Sequence, residues 1–212
     1  MVGDAHIVGL GEGTHGTAQF FLMKHRLLEY LAQNKGFTNA AGNGPILFTG
    51  FDMQFTQGAI PNVEDFVARA EPAYLATVRN AYSLAQQVVH NSQTGTAQTA
   101  DNVQPVVDAL HAIGQHLAQN RSLYLGLQRG LRLHPTHSPA RFSAREVDWA
   151  IQNAVIVEQA TYQTIAPATY RDQAMASNME WILPQDPGAR AVVWAHDRHV
   201  WKEPQAMGSF RW

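Results

Sequence analysis

Apolar residues in this chain fall into two alternating patterns. Short continuous runs bounded by glycine, proline and polar residues predict buried strands at Ala5–Leu10, Ile46–Phe51 and Ala189–Ala195. Between them, apolar residues recur at three- and four-residue steps, the period of an amphipathic helix. Phe20, Met23, Leu27, Tyr30 and Leu31 make the first such stripe, with Thr14 or Thr17 as its N-cap and Gly36 just past its end. Leu75, Val78, Tyr82, Ala85 and Val89 predict a helix between Pro72 and His90, and Val103, Val107, Leu110, Ile113 and Leu117 predict the next. Val147, Ile151, Ala154, Val157 and Tyr162 follow. Met175, Met179, Ile182 and Leu183 then mark a helix over Arg171–Leu183, stopped by Pro184 and the Asp186-Pro187-Gly188 turn.

The remaining segments read as connections. Thr38–Pro45 is a glycine-rich joint and Asn91–Ala100 a polar loop. In Asn120–Arg145, Leu123, Leu125, Leu127, Leu131 and Leu133 alternate, but Gly126 and Gly130 interrupt them, and a Pro-rich stretch carries His134 and His137. The expected fold is α/β, a mainly parallel sheet flanked by helices. It forms one domain over residues 1–212, with a large helical section at about 57–145 between the second and third strands.

Each predicted strand runs into proton-transfer side chains. The first leads to Gly11-Glu12-Gly13-Thr14-His15-Gly16, the second to Asp52, and the third to His196-Asp197-Arg198-His199. Ligands of helix-flanked sheets bind beyond the carboxyl ends of the strands, so this repetition points to an active site. Histidine is the side chain best matched to acid–base work near neutral pH, and Glu12 stands where it can orient His15. The paired histidines at 196 and 199 suit polarising a carbonyl, protonating a leaving group or holding a metal. Arg171 suits an anion or oxyanion. The plainer readings are that Glu12 and Thr14 cap a helix, that Asp52 partners a nearby arginine, and that Arg171 pairs with Asp172 or a sheet-edge acid.

Composition narrows the chemistry. With 212 residues, 45% hydrophobic content and a formal charge of −2, nothing advertises a nucleic-acid or anionic-membrane partner. No apolar run is long enough to span a bilayer and no basic, apolar leader opens the chain, so the expected location is cytoplasmic. The absence of cysteine removes disulfides, thiolate nucleophiles and cysteine-held metals. There is no Gly-x-Ser-x-Gly elbow and no Gly-Lys-Ser/Thr phosphate loop.

At these same residues the chain resembles the erythromycin esterase family, which includes succinoglycan-biosynthesis-like proteins. The matching stretches are GLGEGTHGTAQFFLMKHRLLEYL at 9–31, FTGFDMQ at 48–54, WAIQNAVIVEQA at 149–160, YRDQAMASNMEWIL at 170–183 and VVWAHDRHVWKEPQAMGS at 192–209. The resemblance implies a metal-independent hydrolase of an ester or macrolide-type lactone, in which His15 activates water beside Glu12. It places His196 and His199 on the family's W-A-H-N-x-H motif, with Asp197 replacing the usual Asn. Arg171 and Met175 fall on its R-D-x-x-M motif, and Lys24 or Arg26 on a basic site position in the first helix. The implied catalytic set is Glu12, His15, Arg171, His196 and His199; Lys24, Arg26, Asp52 and Met175 would contact substrate. No cofactor is implied.

Two departures bear on activity. The chain passes from Gly36-Phe37 directly to FTGFDMQ, so a family strand, its acid and a helical segment are missing, and it stops near Met207-Gly208-Ser209-Phe210 where family members continue. The expectation is an esterase whose activity is impaired by the missing acid. The alternatives are a metal-dependent hydrolase using Glu12, His15, His196 and His199 around a divalent ion, and a degenerate member that binds a small ligand without turning it over.

Overall fold

The computed structural model describes residues 2–38, 46–126 and 142–200. The chain divides into two compact units, Met1–Asp52 with Arg171–Trp212, and Met53–Tyr170. Most of the Thr38–Pro45 joint, the alternation through Leu127, Leu131 and Leu133, His134, His137 and the 201–209 part of the last family stretch lie outside the described residues.

The first unit holds the sheet. Strand β1 (Ile7–Leu10) pairs in parallel with β2 (Ala191–Trp194), Leu10 opposite Trp194. Helix α1 (Ala18–Lys35) follows β1 and ends at Gly36, whose φ of 66° is the left-handed conformation that glycine adopts without penalty. Helix α7 (Tyr170–Ile182) leads into β2, and the short α8 (Asp197–Val200) follows it.

The sheet is narrower than the sequence predicts. Among the described residues it has two strands, and Ile46–Phe51 forms no ladder with either. A strand is stabilised by its partners, and an apolar run of six residues specifies none. Its last residue is held by a side chain: Asn178 Nδ2 donates to the Phe51 carbonyl at 2.9 Å.

A second correction follows from the first. Of the predicted α1 stripe only Leu31 is buried, together with Lys24, while Phe20, Met23, Leu27 and Tyr30 are exposed. Two strands about 5 Å apart cannot cover the apolar side of a helix about 10 Å across.

The second unit is helical: α2 (Ala59–Ala70), α3 (Leu75–Gln93), α4 (Ala100–Gln119), the single turn α5 (Arg121–Tyr124) and α6 (Ala144–Tyr162). It is larger than the predicted helical section because α6 belongs to it. Helix α6 packs on α2 and α4. All five stripe residues of α4 are buried, and in α3 Val88 rather than Val89 turns fully inward. Phe66 meets Tyr124 edge-on with centroids 5.2 Å apart and Phe142 at 4.9 Å; such aromatic pairs add about 0.5–1.5 kcal/mol each beyond burial. Glu71 accepts from Tyr124 Oη at 2.9 Å and lies 2.8 Å from His116 Nε2, tying the end of α2 to α4 and α5.

Helix α6 opens on a capping box, in which Glu146 N donates to Ser143 Oγ at 3.2 Å and Ser143 N to Glu146 Oε2 at 3.0 Å. The Ser143 backbone and hydroxyl, helped by Arg69, hold the Glu146 carboxyl below its ordinary value of 4.5. A depressed carboxyl contributes stability that is present above the unfolded value and lost as pH falls through the folded one. Glu146→Gln keeps an acceptor for Ser143 but not the charge. Urea midpoints of wild type and Glu146→Gln should therefore differ at neutral pH and converge as pH drops through the glutamate range; a gap independent of pH would refute this.

Candidate functional site

The two strand ends stay joined beyond the sheet. Ala195 N donates to the Leu10 carbonyl at 3.3 Å and Asp197 N to the Glu12 carbonyl at 2.9 Å, so the turn after β1 and the turn after β2 run side by side. Gly11 makes this possible, because a Cβ there would collide with the Asp197 carboxylate. The result is a row of imidazoles. His15 and His196 have ring centroids 4.8 Å apart, and His196 and His199 6.4 Å.

Glu12 lies at the His15 end of this row, 5% exposed. Its Oε1 is 3.5 Å from His15 Nδ1, an approach rather than a formed hydrogen bond, and its Oε2 is ion-paired with Lys24 Nζ. Lys24, 3% exposed, also donates to the Ala195 carbonyl at 3.0 Å and lies 5.0 Å from the Trp194 ring centroid. Burial pushes the Lys24 ammonium below its ordinary range, and Asp197 partly offsets that. Lys24 therefore holds Glu12 and the end of β2 together, and little of it is open to a substrate.

His15 is 79% exposed, as befits a turn residue that meets solvent. His196 Nδ1 accepts from the Arg198 backbone N–H at 3.2 Å, which leaves Nε2 to carry the proton of the neutral ring. His199 is held in the opposite sense. Its Nδ1 is 2.6 Å from Asp172 Oδ1, and with the carboxylate accepting the Nδ1 proton, Nε2 is left as the basic nitrogen. The row thus offers one imidazole arranged to donate from Nε2 and one arranged to accept there.

Arg171 and Asp52 are brought together with each other. Arg171 Nε and Nη2 reach Asp52 Oδ1 and Oδ2 at 3.3 and 2.5 Å, the two-point geometry of a guanidinium and a carboxylate. Each is thereby partly neutralised by the other, which is the plainer of the readings for Asp52. Arg26 is exposed on α1. Met175 is 1% exposed and sealed by packing, so it presents no surface to a ligand.

Sequence reasoning missed Asp172 as part of this constellation. Its signal was adjacency to Arg171, which suggested a local ion pair; that it meets His199 instead depends on how α7 and α8 pack. Among the described residues no group of three or more His, Asp and Glu is gathered to hold a metal ion. No helix among them is long and apolar enough to cross a membrane.

Comparison with known proteins gives a family and a fold. The erythromycin esterase family model matches residues 25–212, beginning within α1 after the Glu12–His15 turn. A curated relative, an Escherichia coli erythromycin esterase type II, is 36% identical over 62 residues, 29% of this chain and 13% of that protein. A succinoglycan biosynthesis protein of known structure aligns over 92% of this chain and 58% of its own length at 21% identity, with a TM-score of 0.69. A Bacillus cereus protein aligns over the same shares at 23% identity and a TM-score of 0.71. An erythromycin esterase mutant in its open conformation covers 96% of this chain and 63% of its own length at 14% identity, with a TM-score of 0.69. At such identities the likeness is one of fold, and the chain spans about three fifths of the length of these solved relatives.

Proposed function

Since the chain belongs to the erythromycin esterase family, we propose that it is a hydrolase of small-molecule esters, macrolide-type lactones among them, acting through histidine-activated water. The observation that carries this reading is the row His15–His196–His199 beyond two parallel strands, with Glu12 and Asp172 at its two ends.

In this reading an imidazole removes a proton from water, and the hydroxide oxygen bonds to the carbonyl carbon while the carbonyl π pair moves to oxygen. His196 donates its Nε2 proton in a hydrogen bond to that oxyanion. The tetrahedral intermediate collapses by breaking the bond to the leaving oxygen, which takes the proton back from the imidazolium. His15 is the base that the family likeness favours, steered by Glu12. Arg171 would assist at the oxyanion only by turning from Asp52. No step passes through a metal.

The test is hydrolysis of a panel of macrolides and simple aryl esters by the purified chain, with and without EDTA. Turnover of at least one member, unchanged by EDTA, is the expected result. Failure to turn over any of them would overturn the esterase reading; activity lost to EDTA and restored by stoichiometric metal would replace it with the metal-dependent one.

A second reading, a ligand-binding member without turnover, is favoured by the 3.5 Å gap between Glu12 and His15 and by the commitment of Glu12 to Lys24. It predicts saturable binding of a panel member with no product.

A further inference from the structure

The ladder pattern runs on past the paired strands. Ala195 N donates to the Leu10 carbonyl and Asp197 N to the Glu12 carbonyl, so the backbone from Trp194 to His196 keeps the extended course of β2. Side chains two residues apart on an extended chain share a face and stand about 7 Å apart. Trp194 and His196 therefore lie on one face, with Leu10 and Glu12 beside them on the neighbouring chain.

Helix α1 runs along that face towards the imidazole row when read from its C-terminal end. Its last turn meets the start of β2, where Arg190 Nη1 donates to the Lys35 carbonyl at 2.8 Å. Further along, Lys24 reaches Glu12 and the Ala195 carbonyl. Three residues nearer the row, the Phe21 ring stacks on Trp194, with centroids 6.0 Å apart and planes inclined by 27°. Phe20 and Leu22 are exposed as well, but the ring contact with the strand that leads to His196 sets Phe21 apart. Phe21 is still 40% exposed, so an aromatic surface held by the site strand stays open to a ligand.

We infer that Phe21, seated on Trp194, is a specificity-determining residue that receives the acyl group of the substrate, so the preferred esters carry an aromatic acyl group. The inference rests on the ester-hydrolase reading of the row. There His196 holds the oxyanion, and Trp194 is its neighbour on the same face. The leaving oxygen takes its proton at His15, which is 79% exposed, so the alcohol departs on the solvent side. The acyl group is the part left to lie against Trp194 and Phe21. A flat ring suits that place, because offset stacking adds to the burial of apolar area.

Two esters test this: 4-nitrophenyl acetate and 4-nitrophenyl phenylacetate share a leaving group and differ by one phenyl ring on the acyl side. With each kcat/KM divided by the uncatalysed rate, wild type should favour the phenylacetate about tenfold. Phe21→Ala should bring that ratio close to one, whereas Phe21→Tyr, which keeps the ring, should retain most of it. Phe21→Leu, which still packs on Trp194, should also lose most of the preference, and serves if circular dichroism shows Phe21→Ala unfolded. A wild-type ratio near one, or a ratio unchanged in both ring-less variants, would contradict the inference. A second readout needs no turnover. Saturation-transfer NMR with N-methylphenylacetamide, an amide analogue, should mark its phenyl protons in wild type and mark them much less without the Phe21 ring. If no ester is hydrolysed but this signal depends on Phe21, the hydrolase reading falls and the acyl-group surface stands. If esters are hydrolysed and the signal ignores Phe21, the reverse holds.

Discussion

Replacing Lys24 with methionine should destabilise the sheet unit by about 3–5 kcal/mol, the usual cost of leaving one member of a buried ion pair without its partner. The Glu12 and Lys24 side chains are 5% and 3% exposed, so water cannot take over the role of the missing ammonium. Methionine matches the length of the lysine stem but gives nothing to the Glu12 carboxylate or to the Ala195 carbonyl, which now accepts from Lys24 Nζ at 3.0 Å. The decisive comparison is the double variant Glu12→Gln/Lys24→Met. Removing both charges removes the mutual dependence, and an uncharged pair of similar volume is often no worse than the ionic one. Urea unfolding followed by tryptophan emission, to which Trp194 beside Lys24 contributes, should rank the double variant above Lys24→Met alone. If the losses of Lys24→Met and of Glu12→Gln made alone simply add in the double variant, Glu12 and Lys24 are not coupled and the account of how the strand ends are held is wrong.

His15→Gln should lower ester turnover by about 10²–10⁴-fold, the contribution of a positioned general base. Glutamine keeps the approximate size and polarity of the ring but cannot take a proton from water. The side chain is 79% exposed, so folding is unaffected and the loss falls on the rate. A parallel His199→Gln variant makes the measurement discriminating. The Asp172–His199 pair at 2.6 Å is the more fully formed carboxylate–imidazole couple, against 3.5 Å for Glu12 and His15. Wild-type turnover in His15→Gln together with loss in His199→Gln would move the base to His199, with Asp172 as its positioning residue. Wild-type turnover in both would remove the imidazole row from the mechanism.

Helices that carry their own packing partners were legible before any coordinates. Val103, Val107, Leu110, Ile113 and Leu117 are all buried on α4, and Gly36 closes α1 in the left-handed conformation expected of it. Ala59, Ile60, Val63, Phe66 and Val67 carry the same helical spacing on α2, whose first turn holds Pro61, a place where proline is tolerated. The stripe on α1 was visible too, but which way it faced was not. A helical period fixes which residues share a side, and only the neighbouring elements decide whether that side is covered.

The candidate site divides in the same way. Glycine after β1 and the histidines after β2 are local features, readable from short windows, and they located the turns that carry Glu12, His15, His196 and His199. The pairings were not readable. Arg171 reaches Asp52 across 119 residues and His199 reaches Asp172 across 27. The sequence by itself determined which segments are helices and which turns carry acid–base groups, because those follow from periodicity and backbone preference over a few neighbouring residues. Tertiary structure alone decided that, among the described residues, Ile46–Phe51 joins no ladder, that the Phe20, Met23, Leu27 and Tyr30 stripe is exposed, and which carboxylate holds which cation, because each depends on partners distant along the chain.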